Sequence, residues 1–156
     1  PSFRLMRITT WAEYGVICAL HLAKRAEVPA VTGRDIAARE GLPGDYVEQI
    51  LLRLRRAGIV TSTRGARGGY ALARPAAEIT VREIIAAAEL VTFDVHCESH
   101  PIDEVRCSSA HECSIRPVWM MLQRRIDEVL DGVFLADLLH AEPAVRQRVG
   151  LPVLQA

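Results

Sequence analysis

Two short β-prone runs, Ile59–Arg64 and Tyr70–Ala73, flank the turn Gly65-Ala66-Arg67-Gly68-Gly69 and follow directly on an amphipathic helix. No other feature constrains the fold as much. Runs of Ile, Val, Thr and Tyr favour strands, and glycines between them admit the backbone angles of a tight hairpin. The helix before them, from about Asp45 to Ala57, sets Val47, Ile50, Leu51 and Leu54 at i, i+3, i+4 and i+7, one apolar stripe. Gly58 stands where a left-handed residue closes a helix. Two more helices are predicted upstream. Thr10 to about Lys24 carries Tyr14, Ile17, Cys18 and Leu22 at helical spacing, with Thr10 and Glu13 read as a capping box. Gly33 to Glu40 is shorter, with Thr32 as its N-cap and Gly41 as its end.

Three helices and then a hairpin make a winged helix-turn-helix, a mainly α fold with a small β-hairpin. The third helix reads the major groove of double-stranded DNA and the hairpin is the wing. Downstream, Thr80-x-x-Glu83 caps a fourth helix that runs to about Glu89. Residues from about Val91 to Arg116 lack periodicity, and a loop of that length is usually functional, disordered or organised by a ligand. Pro117 starts a further helix in which Val118, Leu122, Ile126 and Val129 recur, with Trp119, Leu130 and Val133 beside them. That helix is too apolar to stand alone and is expected to pair with a second copy in a homodimer. A last short helix covers Leu135–His140. The expected division is a DNA-binding domain over 6–75, a long cysteine-bearing loop and dimerisation helix over 76–140, and a tail over 141–156.

Net charge is zero, but its distribution is not even. Residues 1–75 hold twelve Lys or Arg against six Asp or Glu; residues 76–156 hold seven against thirteen. A basic first half suits phosphate binding. On the third helix, Glu48 and Gln49 are of the types that read cytosine and adenine edges. Arg64 and Arg67 flank the wing glycines and suit a narrow minor groove or pairing with phosphate. Arg53 and Arg56, with Arg55 between them, are expected on backbone phosphates. Gly65–Gly69 lacks the Lys-Ser/Thr of a phosphate loop and joins two strands, so that reading is rejected. No run is long enough to cross a bilayer, and the N-terminus shows no secretory pattern, since Arg4 and Arg7 are followed by an amphipathic stretch; a cytoplasmic protein is expected, with Met6 a candidate natural start.

Four cysteines in such a chain point to metal or redox roles rather than disulfides. Cys18 lies on the apolar face of the first helix and reads as core. Cys97, Cys107 and Cys113 share the long loop with His96, His100 and His111. Soft thiolates select iron–sulfur clusters, zinc or cuprous copper. Cys97-x2-His100 and Cys107-x3-His111 make structural zinc an alternative. A thiol enzyme, with Cys97 beside His96 or Cys107 with His111, is a remote one, because no third catalytic group or oxyanion element accompanies the pair.

Several of these pieces carry a resemblance. Met6-Arg7-Ile8-Thr9, Glu13-Tyr14-Gly15, Tyr46-Val47-Glu48-Gln49, Leu54-Arg55-Arg56-Ala57-Gly58, the wing from Arg64 to Tyr70, the three loop cysteines and Asp137-Leu138 are arranged in one order. Over about residues 6–140 the chain resembles the iron–sulfur cluster regulator family of bacterial winged-helix repressors, with IscR-like and NsrR-like members. The resemblance implies a transcription regulator, not an enzyme, that senses iron, redox or nitric oxide through a 4Fe-4S or 2Fe-2S cluster. Two departures stand out. Cys97-x9-Cys107-x5-Cys113 is four residues longer in its first interval than the family's usual spacing. Arg116 replaces the IscR-like histidine ligand, and a guanidinium stays protonated and cannot ligate. The NsrR-like pattern instead implies a carboxylate at the start of the first helix, here Glu13, donated by the partner subunit. His96, His100, His111 and Glu40 are the alternatives.

Overall fold

Thr9 opens the first helix, α1 (Thr10–Ala23), in the computed structural model, which describes residues 8–89, 103, 105, 107–108 and 112–152. The Thr9 hydroxyl accepts from the Ala12 N–H at 3.3 Å, and the Thr9 carbonyl accepts from the Glu13 N–H at 3.1 Å. This corrects the expected Thr10–Glu13 capping box. Thr9 holds the extended backbone that an N-cap needs, so Thr10 is already helical and Glu13 stands one position late for the reciprocal bond.

The next helix, α2 (Gly33–Glu40), is capped by Thr32 as expected and ends at Gly41 with φ +66°. Helix α3 (Gly44–Arg56) follows, and Gly58 at φ +72° turns the chain away. Strands β1 (Val60–Thr63) and β2 (Gly69–Leu72) pair antiparallel, with Val60 opposite Leu72 and Thr63 opposite Gly69. A 3-10 turn at Ala76–Glu78 leads into α4 (Val81–Glu89). Here the capping box does form: Glu83 Oε2 accepts from the Thr80 N–H at 2.9 Å, and Thr80 Oγ1 accepts from the Glu83 N–H at 3.2 Å. That backbone bond, with Arg74 at 2.6 Å, holds the Glu83 carboxyl below the usual range. Helix α5 (Arg116–Asp131), a 3-10 turn (Leu135–Leu139) and α6 (Glu142–Arg148) complete the described chain.

The stripe read on α3 is the centre of the core. Val47, Ile50, Leu51 and Leu54 are fully buried against Cys18, Ala19 and Leu22 of α1, Ile36 of α2, and Ile59, Ile79, Ile84 and Leu135. Each buried Leu or Ile contributes about 1.5–3 kcal/mol. The core therefore holds α3 at a fixed angle to the hairpin. Helix α4 lies along α1 so closely that a Cβ on Gly15 would come within 2.6 Å of Ala88 Cβ.

The wing has a seat that periodicity did not announce. Tyr70 exchanges backbone hydrogen bonds with Val31, the residue two places before α2: Val31 N–H to Tyr70 O at 2.9 Å and Tyr70 N–H to Val31 O at 2.7 Å. A second bridge ties the far end of α5 to the start of α4, through Val81 N–H to Val133 O and Leu135 N–H to Ile79 O, both 2.8 Å. Arg82 of α4 pairs with Asp127 and Asp131 of α5. No residue of α5 is buried. Val118, Trp119, Met120, Met121 and Val129 are between 43% and 66% exposed, a long apolar face.

Candidate nucleic-acid interface and cysteine site

Burying one face of α3 turns the other outward. Glu48, Gln49 and Arg56 are all exposed on it. Glu48 does not float free. A Cβ on Gly33 would meet its Oε1 at 2.2 Å, so the carboxylate lies across the bare start of α2. The Tyr70 hydroxyl stands 3.5 Å from its Oε2, at the outer limit of a hydrogen bond. Partial burial and then the Glu48 charge push the Tyr70 hydroxyl pKa up. Glu48 is thus oriented from two sides, by α2 and by the wing.

Arg53 is a correction. Expected on phosphate, it is half-buried instead. Its guanidinium lies 4.0 Å from the centroid of Trp11 and donates to the Ala88 carbonyl. Trp11 in turn stacks on Tyr46 at 4.7 Å, and Tyr14 meets Tyr46 edge-on at 5.9 Å. The physical reason is spacing: Tyr46, Ile50 and Arg53 at i, i+4 and i+7 follow one side of α3, so Arg53 flanks the buried stripe and joins α1, α3 and α4. Arg55 donates to Ser62 Oγ at 3.0 Å, across to the hairpin.

At the wing tip the Gly68 N–H closes on the Gly65 carbonyl at 2.9 Å, and Arg64 and Arg67 stand exposed on either side. Neither they nor Arg56 meets a carboxylate among the described residues. The contrast with the second half of the chain is direct: Arg82, Arg124, Arg125, Arg146 and Arg148 each pair with an Asp or Glu. The charge excess of the first half therefore surfaces as unneutralised guanidinium groups on α3 and the wing, where phosphate would meet them. Arg64→Ala is expected to weaken DNA binding by about 1–3 kcal/mol. A gel-shift titration at fixed salt reads it; equal affinity would remove Arg64 from the interface.

The cysteines separate by environment. Cys18 is fully buried, and burial, then the Glu40 charge, push its thiol up to about 12. Cys107 and Cys113 are half-buried and in no disulfide. Arg116, the first residue of α5, donates from Nη2 to the carbonyls of Cys107 at 2.9 Å and Ser108 at 3.1 Å. Cys97, His96, His100 and His111 lie outside the described residues. Among the described residues no three His, Cys, Asp or Glu side chains stand close enough to hold a metal ion. Glu13 is exposed in the first turn of α1 and is not engaged in capping. Glu40, an alternative ligand, is committed elsewhere: its Oε1 lies 2.6 Å from Nδ1 of the buried His21. Sequence reading took His21 for an ordinary helix residue, although Cys18, His21 and Leu22 at i, i+3 and i+4 mark it as inward-facing.

Comparison with known proteins covers nearly the same span. The family description "Rrf2: Iron-dependent Transcriptional regulator" matches residues 8–141. Protein rrf2 of Nitratidesulfovibrio vulgaris is 35% identical over 136 residues, 86% of this chain and 88% of that protein. The HTH-type transcriptional regulator IscR of Klebsiella pneumoniae (strain 342) is 32% identical over 135 residues, 86% and 80%. Among solved structures, T. potens IscR superposes with a TM-score of 0.67 at 36% identity, covering 86% of each chain. CymR, the global cysteine regulator of B. subtilis, does so with 0.66 at 31%, covering 85% of this chain and 95% of that one.

Proposed function

The chain belongs to the Rrf2 family of transcriptional regulators, and from that premise we propose that it represses transcription as a homodimer under the control of an iron–sulfur cluster. It is a DNA-binding regulator rather than an enzyme. The observation that carries the sensing is the contrast among its thiols: Cys107 and Cys113 are half-buried thiols outside any disulfide, six positions apart, whereas Cys18 is sealed in the core.

The donors fit the group. Cys107 and Cys113 offer soft thiolates, and Cys97 would be the third. A fourth ligand would come from a second copy. Glu13 is that ligand in this reading. When bound, the cluster supplies iron whose chemistry responds to redox state, iron supply or nitric oxide. The exposed apolar face of α5 supports pairing with a second copy. Residues 6–75 then present Gln49, the oriented Glu48, Arg56, Arg64 and Arg67 to double-stranded DNA. Residues 76–140 carry the cysteines and the dimer face, and 141–156 form a tail. Among the described residues no helix is long and apolar enough to cross a membrane; a cytoplasmic location is part of the proposal.

Anaerobic purification with an absorption spectrum and iron and sulfide analysis tests the sensing. Visible absorption with matched iron and sulfide is the expected result. A colourless protein holding zinc, or no metal, would replace it with a regulator of another signal, a reading that the likeness to CymR, a cysteine regulator, favours.

Glu13 is a hard oxygen donor among thiolates, so its bond is the weak and exchangeable one. Thr9, not Glu13, caps α1, so Glu13→Gln should leave the fold and dimer intact while altering the visible spectrum and shortening the lifetime of the colour in air. Unchanged spectrum and lifetime would exclude Glu13 as a ligand.

A further inference from the structure

Arg116 occupies a particular place in the chain. It is the first residue of α5, three positions after Cys113, and it is half-buried. Its Nη2 carries two hydrogens, and two carbonyls receive them, those of Cys107 and Ser108. The same two residues spend their N–H groups inside a short turn, Cys107 to the Asp103 carbonyl at 2.9 Å and Ser108 to the Val105 carbonyl at 3.3 Å. The turn therefore closes on itself through its amides and presents its carbonyls to the guanidinium. The bonds are charge-assisted, directed and partly sheltered from water, the conditions under which they hold geometry best.

We propose that Arg116 is a positioning residue which fixes Cys107 relative to Cys113 and to the first turn of α5 before any metal arrives. The proposal rests on the cluster reading above. Arg116 cannot ligate, because it stays protonated. What it can do is close the segment from 107 to 116 into a ring, so that two of the thiols no longer search space independently. Preorganising two donors removes part of the ordering cost of assembling a site. The clamp also leaves a fixed cation beside the cysteine segment, and a nearby positive charge favours the more reduced form of a redox centre. Because the same residue begins the apolar helix, any displacement of Cys107 is passed to α5 through one side chain.

Arg116→Gln and Arg116→Lys test this. In the metal-free full-length protein, the Cys107 and Ser108 amides of the Gln variant should exchange with solvent about tenfold faster, while α1 amides keep their protection. After anaerobic reconstitution with iron and sulfide, the Gln variant should lose its colour sooner in air and show a lower midpoint potential. Lys keeps the charge but not the two-pronged geometry, so it should hold the potential near that of the parent and shorten the lifetime only in part. Unchanged exchange, lifetime and potential in the Gln variant would overturn the proposal. So would faster exchange throughout α1, because Arg116 would then support the whole fold. If the parent binds no cluster yet the exchange result stands, the clamp survives and the cluster reading alone falls.

Discussion

Gly69→Ala should lower stability by about 2–4 kcal/mol and reduce DNA affinity more than any single wing arginine replacement. Two independent costs meet at this residue. Its φ is +153°, where side chains other than hydrogen are strained, and a Cβ there would stand 2.6 Å from the Val31 carbonyl oxygen and 2.7 Å from its carbon. The obstacle is backbone, so no rotamer change relieves it. Relief requires the strand to leave Val31, breaking the two hydrogen bonds through which Tyr70 seats the wing. Tyr70 would also withdraw from Glu48, freeing the carboxylate on the recognition helix. A drop on the order of 10 °C in thermal unfolding is expected for a chain of this size. Gly65→Ala is the control. Gly65 has φ +115° but nothing within 4 Å of its would-be Cβ, so it carries strain without a clash and should cost clearly less. Melting of Gly69→Ala within a degree of the parent would mean that the wing is not seated through Val31.

Local signals recovered the architecture where the physics is local. The α3 stripe, the Thr32 and Thr80 caps, and the left-handed Gly41 and Gly58 all depend on residues within one or two turns, and each appears as expected. The first helix shows the limit of that reasoning. Thr9 and Thr10 are adjacent and chemically alike; only the entry path of the chain decides which becomes the cap. Long-range partners were hidden for a similar reason. Val31 with Tyr70, His21 with Glu40, and Arg53 with Trp11 are separated by 39, 19 and 42 positions, and nothing in periodicity pairs them. For Arg53 a partial signal existed, since its spacing from Tyr46 and Ile50 puts it beside the apolar stripe. Charge reading assigned every arginine on α3 to phosphate, whereas a guanidinium can be half-buried once an aromatic face and a carbonyl receive it. Arg116 was recognised for what it cannot do, which is ligate. Its positive role required knowing that two carbonyls converge on it.

Cys107→Ala and Cys113→Ala should each abolish visible absorption and bring bound iron close to zero, and Cys97→Ala should do the same. Cys18→Ala should keep both. Ligand chemistry sets the direction. Iron–sulfur clusters are held by thiolates, and a three-thiolate set has no spare member, so removal of one leaves an iron without a protein ligand. The fourth cysteine cannot stand in. With its thiol pushed up to about 12, Cys18 is deprotonated in only about one molecule in a hundred thousand at neutral pH, and it lies fully buried on the inner face of α1. Its replacement should instead cost stability, roughly 1 kcal/mol for trimming a packed core side chain, with no change in colour. The two phenotypes are orthogonal: loop variants lose iron while melting of the metal-free protein stays as in the parent, and the Cys18 variant melts earlier while retaining iron. Iron content unchanged in two of the three loop variants would overturn the thiolate assignment, and loss of iron in Cys18→Ala at unaltered stability would move the site from the loop to the core.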